Sequence, residues 1–176
     1  MWLGLILATA TPKLDPCEAV VPTAVRRIVR QQFPTFRIAR TADYDPETLR
    51  LEQRYHGGGK CIAVSSADYD GDNRPDFAFL IANRRGKTFL VVARNLESGW
   101  KLERLWHAAD DGPGCCYVNT LEPGKYENVY GAPPSEPGEV QTFESHLSGI
   151  VSGATESSGV AFFRHKSKWI HVWISD

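Results

Sequence analysis

Long apolar runs are missing from this chain of 176 residues. No stretch approaches the roughly 18 residues that a membrane-spanning helix needs, so no transmembrane span is expected. An excess of either charge is missing too. Twenty lysines and arginines stand against 21 aspartates and glutamates, and the net charge is −1. The basic residues are scattered along the sequence, which argues against a nucleic-acid partner. Cysteine is scarce: Cys17, Cys61, Cys115 and Cys116 are the four in the chain. None stands in C-x-x-C spacing, so zinc and thioredoxin-like chemistry lack their signatures. Signatures of catalysis are absent as well. His56, His107, His146, His165 and His171 form no H-E-x-x-H or H-x-E arrangement, and no G-x-S-x-G elbow occurs. A Cys–His nucleophile would need Cys115 or Cys116 beside His107 or His146 in space. Paired carboxylates for glycoside hydrolysis leave no local pattern, because such pairs are distant in sequence. The chain is therefore read as a non-enzyme.

What is present is turn punctuation and strand-like patterning. Fifteen glycines and eleven prolines separate short runs rich in β-branched and aromatic residues. Expected strands are Cys61–Ala67, Asp76–Asn83, Thr88–Asn95, Trp100–Trp106, Cys116–Leu121, His146–Val151, Gly159–Arg164 and Lys168–Ile174. The links Arg84–Lys87, Glu97–Gly99 and His165–Ser167 read as hairpin turns. Pro123–Gly138 carries four prolines and is expected to be a surface loop, with Tyr126 and Tyr130 as a candidate partner surface. One amphipathic helix is expected over Pro22–Phe33, with Val21, Val25, Ile28, Val29 and Phe33 at helical spacing and Arg26, Arg27 and Arg30 opposite. A second helix is expected to start with Asp45 as N-cap and to stop at Gly57-Gly58-Gly59. In the last strand, Trp169, His171 and Trp173 alternate with Ile170, Val172 and Ile174. Two apolar faces predict a central strand covered on both sides, with the helix on one of them. The fold class is α+β: a mainly antiparallel sheet packed against an N-terminal helix, in a single domain over 11–176.

The stretch Asp68-Tyr69-Asp70-Gly71-Asp72-Asn73-Arg74-Pro75-Asp76 carries four carboxylates in the pattern D-x-D-G-D-x-x-x-D. Acids this close repel one another, so the loop either stays solvated as a plain acidic turn or is neutralised by a cation. Calcium is the natural cation, being hard, content with six to eight oxygens and tolerant of irregular geometry; magnesium or manganese are alternatives. The pattern departs from an EF-hand, which needs Gly at position 6 and Glu at 12. Here Gly71 stands at position 4 and Phe79 at position 12. Ala67–Ile81 resembles the calcium loop of FG-GAP and VCBS repeats, the units of integrin-type β-propellers. That resemblance implies Asp68, Asp70, Asp72 and Asp76 as side-chain ligands and Arg74 as a ligand through its backbone carbonyl. It covers about fifteen residues. A full propeller needs several blades of about 40–50 residues, which this length does not hold.

Met1–Ala10 resembles a truncated secretion signal, with a short apolar stub and Ala8-Thr9-Ala10 in small-x-small order. A start codon assigned too late, or a buried N-terminal strand, are the alternatives. The closing segment from Glu144, through Glu156–Phe163 and Trp169–Trp173, is similar to small exported bacterial proteins with a single VCBS-like loop. A periplasmic or secreted location is expected, and with it disulfides. Of the pairings open to four cysteines, Cys17–Cys61 is favoured, since it would staple the first helix to the strand leading into the acidic loop. Adjacent Cys115 and Cys116 would close only a strained ring, so a pairing that uses just one of them is also open. Three functions remain: an exported calcium-binding, non-catalytic interaction domain with a structural site; a periplasmic inhibitor or immunity-type protein that blocks a hydrolase; and a cell-wall glycan-binding protein or hydrolase. Of the five tryptophans, Trp100, Trp106, Trp169 and Trp173 sit in strand runs and read as core. A protein partner is expected, of unknown identity.

Overall fold

A computed structural model describes residues 14–55, 61–131, 133–155 and 157–175, without the side chains of Gln53, Tyr55, Ser158 and Ser175. The signal-like segment Met1–Ala10 and the glycine stop at 57–59 lie outside the described residues. In chain order the elements are α1 (Pro16–Val20), α2 (Thr23–Gln32), β1 (Phe36–Ile38), α3 (Pro46–Tyr55), β2 (Val64–Ala67), β3 (Asp76–Asn83), β4 (Thr88–Leu96) and β5 (Gly99–Ala109). Then come β6 (Cys116–Leu121), β7 (Gly124–Glu127), β8 (Thr142–Ser145), β9 (Gly149–Ala154), β10 (Ser158–His165) and β11 (Lys168–Ser175). Short 3-10 turns occupy Thr41–Asp43 and Pro113–Cys115.

Side-chain alternation along β3 and β4 sets the layers. Ala78, Leu80, Leu90 and Val92 face one core, while Phe79, Ile81, Phe89, Val91 and Ala93 face another. Strands buried on both faces need a layer on each side. On one side α2 lays down Val25 and Val29, with Val21 from the link just before it. On the other, Tyr117, Val118, Ile150, Val160 and Phe162 come from a second sheet. That sheet's far face carries Ala161, Phe163 and Val172, covered by Tyr126 and Phe143 of the β7–β8 hairpin. The stack is thus helix, five-stranded sheet, four-stranded sheet, hairpin. A fully buried side chain such as Leu80 or Ile150 contributes about 1.5–3 kcal/mol.

Among the described residues the ladders between named strands are antiparallel. In the first sheet the order is β1-β3-β4-β5, and β2 shares with β1 the edge of β3 that β4 leaves free. In the second the order is β11-β10-β9-β6. The architecture is α+β in one domain, and the described residues close no barrel or propeller.

Three expectations change. The last strand is an edge strand, not a central one, and the helix covers the first sheet instead. Both faces of β11 are indeed packed, by the inter-sheet core and by the hairpin side. Its open backbone edge is partly taken by the proline-rich segment: the His171 amide donates to Gly138 O at 2.8 Å, the Val140 amide to His171 O at 2.9 Å, and the Val129 amide to Trp173 O at 3.1 Å. Covering an edge in this way removes a template for aggregation. Second, Gly124–Glu127 inside the expected loop forms β7, since it finds β8 as a partner. Third, β1 arises from Phe36–Ile38, too short a run to carry a pattern of its own.

Candidate metal centre

The acidic loop joins β2 to β3, whose pairing ends at Ala67 opposite Asp76. Gly71 and Asn73 hold positive φ angles of 82° and 64°, which Gly adopts freely and Asn tolerates better than most residues. Those two turns let the loop curl around Asp68. Asp68 Oδ1 accepts from the Gly71 amide at 2.7 Å and the Asp72 amide at 3.2 Å, and Oδ2 accepts from the Asn73 amide at 2.7 Å. Between the acids, Tyr69 is fully buried. Its hydroxyl bonds Ser65 Oγ at 2.8 Å and Thr120 Oγ1 at 3.0 Å, anchoring the loop to the second sheet through β6. From above, Leu147 packs on Gly71, where a Cβ would meet it at 3.2 Å.

One carboxylate oxygen each from Asp68, Asp70 and Asp76 lies within 4.8 Å of the others, so the acids converge and are not splayed into water. Asp76 is fully buried. Its Oδ1 accepts from the Asn95 amide at 2.8 Å and its Oδ2 from the Tyr69 amide at 3.2 Å. Burial raises its pKa, the charges of Asp70 and Asp72 add to the rise, and the two amide bonds offset only part of it, leaving the value at about 6. The Asp70 side chain is 9% exposed and its Oδ2 pairs with Arg94 Nη1 at 3.0 Å. Its Oδ1 is buried with no hydrogen-bond partner. An orphaned buried acceptor costs about 1–3 kcal/mol, more if charged. A cation beside it would supply what it lacks, and a set made only of carboxylate oxygens suits a hard one. The three aspartates could therefore hold a metal ion.

Asp72 is not among the three converging carboxylates. Asp72 turns to Arg74, accepting from its amide at 2.9 Å and from Nη2 at 2.6 Å. The Arg74 side chain also donates through Nε to Asn95 O at 2.6 Å, fastening the loop to the end of β4. Cys17 and Cys61 are disulfide-bonded across 44 residues, tying α1 to the chain ahead of β2. Tyr126 is half-buried, its ring 4.8 Å from Phe163 and its hydroxyl donating to Glu122 O. Tyr130 is 58% exposed and meets Trp173 edge-on at 5.9 Å.

Behind the trio lies a charge cluster that the sequence reading missed. Arg94 of β4 joins Asp70 to Glu103 of β5, with Nη2 3.2 Å from Oε1. Lys101 reaches the same oxygen at 2.9 Å. Glu103 Oε2 accepts from Trp169 Nε1 at 2.7 Å and lies 3.5 Å from Arg164 Nη1. Burial pushes the Glu103 carboxyl up, but bonds from Lys101, Trp169 and Arg94 outweigh it and hold the group down at about 2. An arginine directly after the apolar run Phe89–Ala93 was the one sequence hint, since a charge next to a buried strand needs a partner.

Comparison with protein-family models, with curated proteins and with solved structures yields no match for this chain. The molecule is thus placed by its own features: a two-sheet α+β domain bearing an acidic loop able to hold a cation.

Proposed function

We propose that this protein is an extracytoplasmic, non-catalytic interaction domain whose acidic loop binds calcium in a structural role. The observation that carries the reading is the buried, unpartnered Asp70 Oδ1 beside the oxygens of Asp68 and Asp76. Calcium fits better than magnesium because the oxygens come from an irregular loop already shaped by its own amide bonds, and magnesium demands near-octahedral order and keeps its waters. Asp68, Asp70 and Asp76 would hold the ion, which would neutralise the loop and fix the β2–β3 register. The likeness to FG-GAP and VCBS loops over Ala67–Ile81 agrees with this. The Cys17–Cys61 disulfide supports an oxidising compartment, and no helix among the described residues is long and apolar enough to cross a membrane.

The test is thermal unfolding in calcium against EGTA. Calcium at a hundredfold excess over Kd stabilises by about 2.7 kcal/mol, which for a domain of this size moves Tm by about 5–10 °C. Asp70→Asn and Asp76→Asn should abolish the shift. A wild-type protein that melts at one temperature in both buffers overturns the reading.

A second reading rests on the adjacent exposed pair Val129 and Tyr130, at 49% and 58% exposure. An apolar residue beside an aromatic one on a segment pinned to β11 suits a contact with another protein, as in an inhibitor or immunity-type protein. One tight partner captured from a periplasmic extract, retained in EGTA and lost in Tyr130→Ala, favours it over the first.

A further inference from the structure

Cys115 and Cys116 lie away from the acidic loop, where the 3-10 turn Pro113–Cys115 runs into β6. Their Sγ atoms are 2.9 Å apart, within about 1 Å of a disulfide bond length. The pair is asymmetric in access: Cys115 is exposed and Cys116 is buried. The backbone holds them in place. The Thr155 amide donates to Cys115 O at 3.0 Å, and Cys116 stands opposite Ala154 at the end of the β6–β9 ladder. Both thiols line a cleft of about 230 Å³ whose walls include Trp106, Trp173, Ser152 and Ser157.

We propose that Cys115 and Cys116 are a redox-active vicinal pair, a second disulfide site whose closure changes the surface of the Trp106–Trp173 cleft. The same chain already carries the Cys17–Cys61 bond, so the conditions that oxidise one pair reach the other. The oxidant is a disulfide-bearing exchange partner, a protein dithiol oxidase or a small disulfide. Cys115, the accessible thiol, loses its proton and attacks one sulfur of that disulfide. The partner's S–S bond breaks, one thiolate leaves, and a mixed disulfide stands on Cys115. Cys116 then gives up its proton and attacks Cys115 Sγ, expelling the partner's second thiolate. Two protein thiols have lost two hydrogens, and one disulfide has become two thiols. The product is an eight-membered ring. It replaces two S–H groups with a rigid, donor-free sulfur surface in the cleft that Trp106 and Trp173 also line.

The test uses the full chain exported to an oxidising compartment, denatured in an alkylating agent before any reductant is added, and mapped by peptide mass. The expected Cys115–Cys116 peptide carries no label and is two hydrogens lighter than the dithiol. After reduction it takes two labels. Two labels without reduction, or a bridge from either residue to Cys17, Cys61 or a second chain, overturns the proposal. Tryptophan emission tests the cleft. Reduction should change it in the wild type beyond the change seen in Cys115→Ser, which keeps Cys17–Cys61 and so shows what reducing that bond alone does. Equal changes in the two proteins would overturn the link between the pair and the cleft. Retention of the wild-type melting transition by Cys115→Ser shows that the comparison is made between folded proteins.

Discussion

At Asp76 two demands conflict. The fold needs its carboxyl where the Asn95 and Tyr69 amides can reach it, and that place is fully buried and shared with Asp70. Its ordinary pKa of 3.8 is raised to about 6. A carboxyl raised on folding contributes stability that is complete below 3.8 and lost as pH climbs through 6. In EGTA, therefore, Tm should decline between about pH 4 and pH 7. Calcium reverses the sign, because the ionised form is the one that binds a cation. The gain in Tm on adding calcium should accordingly grow across the same window. Asp76→Asn should flatten the EGTA slope and remove the calcium gain, while costing about 1–3 kcal/mol for an amide group that cannot accept from both backbone N–H groups. A slope that survives in Asp76→Asn would assign it to some other group.

The elements that were legible in the sequence are those whose periodicity is carried by their own residues. The stripe Val21, Val25, Ile28, Val29 and Phe33 marks helix α2, which the structure sets at Thr23–Gln32. Asp45 caps α3 as expected, accepting from the Glu47 and Thr48 amides, each at 2.9 Å. The runs behind β3 and β4 were visible because both faces are buried. What was not legible is which strand stands beside which. Two apolar faces on β11 suggested a central position, yet an edge strand is also covered on both faces when another sheet packs on one and a hairpin on the other. Short β1 and β7 exist only through their partners. Packing between elements has the same character, and Gly149 at the start of β9 shows it. A Cβ there would lie 2.3 Å from the Phe163 ring, and that ring is itself held between Tyr126 and Phe143. Gly149→Ala should destabilise by about 1–3 kcal/mol. Phe163→Leu in the same chain should recover part of that loss, a positive coupling read from urea melts of the four-protein cycle. Strict additivity would place the glycine's role elsewhere. The 44-residue separation of Cys17 and Cys61 predicts a comparable sensitivity. Replacing both by serine should cost about 4 kcal/mol in the chain-entropy account.

For the molecule as a whole, the question is what keeps the two sheets in one orientation, since apolar contact is tolerant of sliding. Glu103 answers it with direction. It sits on β5 of the first sheet and accepts from Trp169 on β11 of the second, with Arg164 of β10 alongside. Through Arg94 the same cluster reaches Asp70 in the acidic loop. The acidic loop and the sheet–sheet contact are thus joined by one chain of charged hydrogen bonds, a link not visible in sequence because its members come from four strands and a loop. Glu103 is held at about 2 against an ordinary 4.5, so it contributes stability above 4.5 that is lost as pH falls towards 2. This acid limb runs opposite to the Asp76 slope and lies below it in pH. Glu103→Gln keeps the shape and can still accept from Trp169, but it leaves Arg94 and Arg164 short of a counter-charge. Breaking a largely buried pair in this way should cost about 3 kcal/mol at neutral pH and flatten the acid limb in calcium and EGTA alike. The near-ultraviolet signal of the tryptophans should change with it, because Trp169 loses a charged acceptor. An acid limb of unchanged steepness in Glu103→Gln would mean that this carboxylate does not set the orientation of the sheets. The cluster would then serve only to neutralise Asp70.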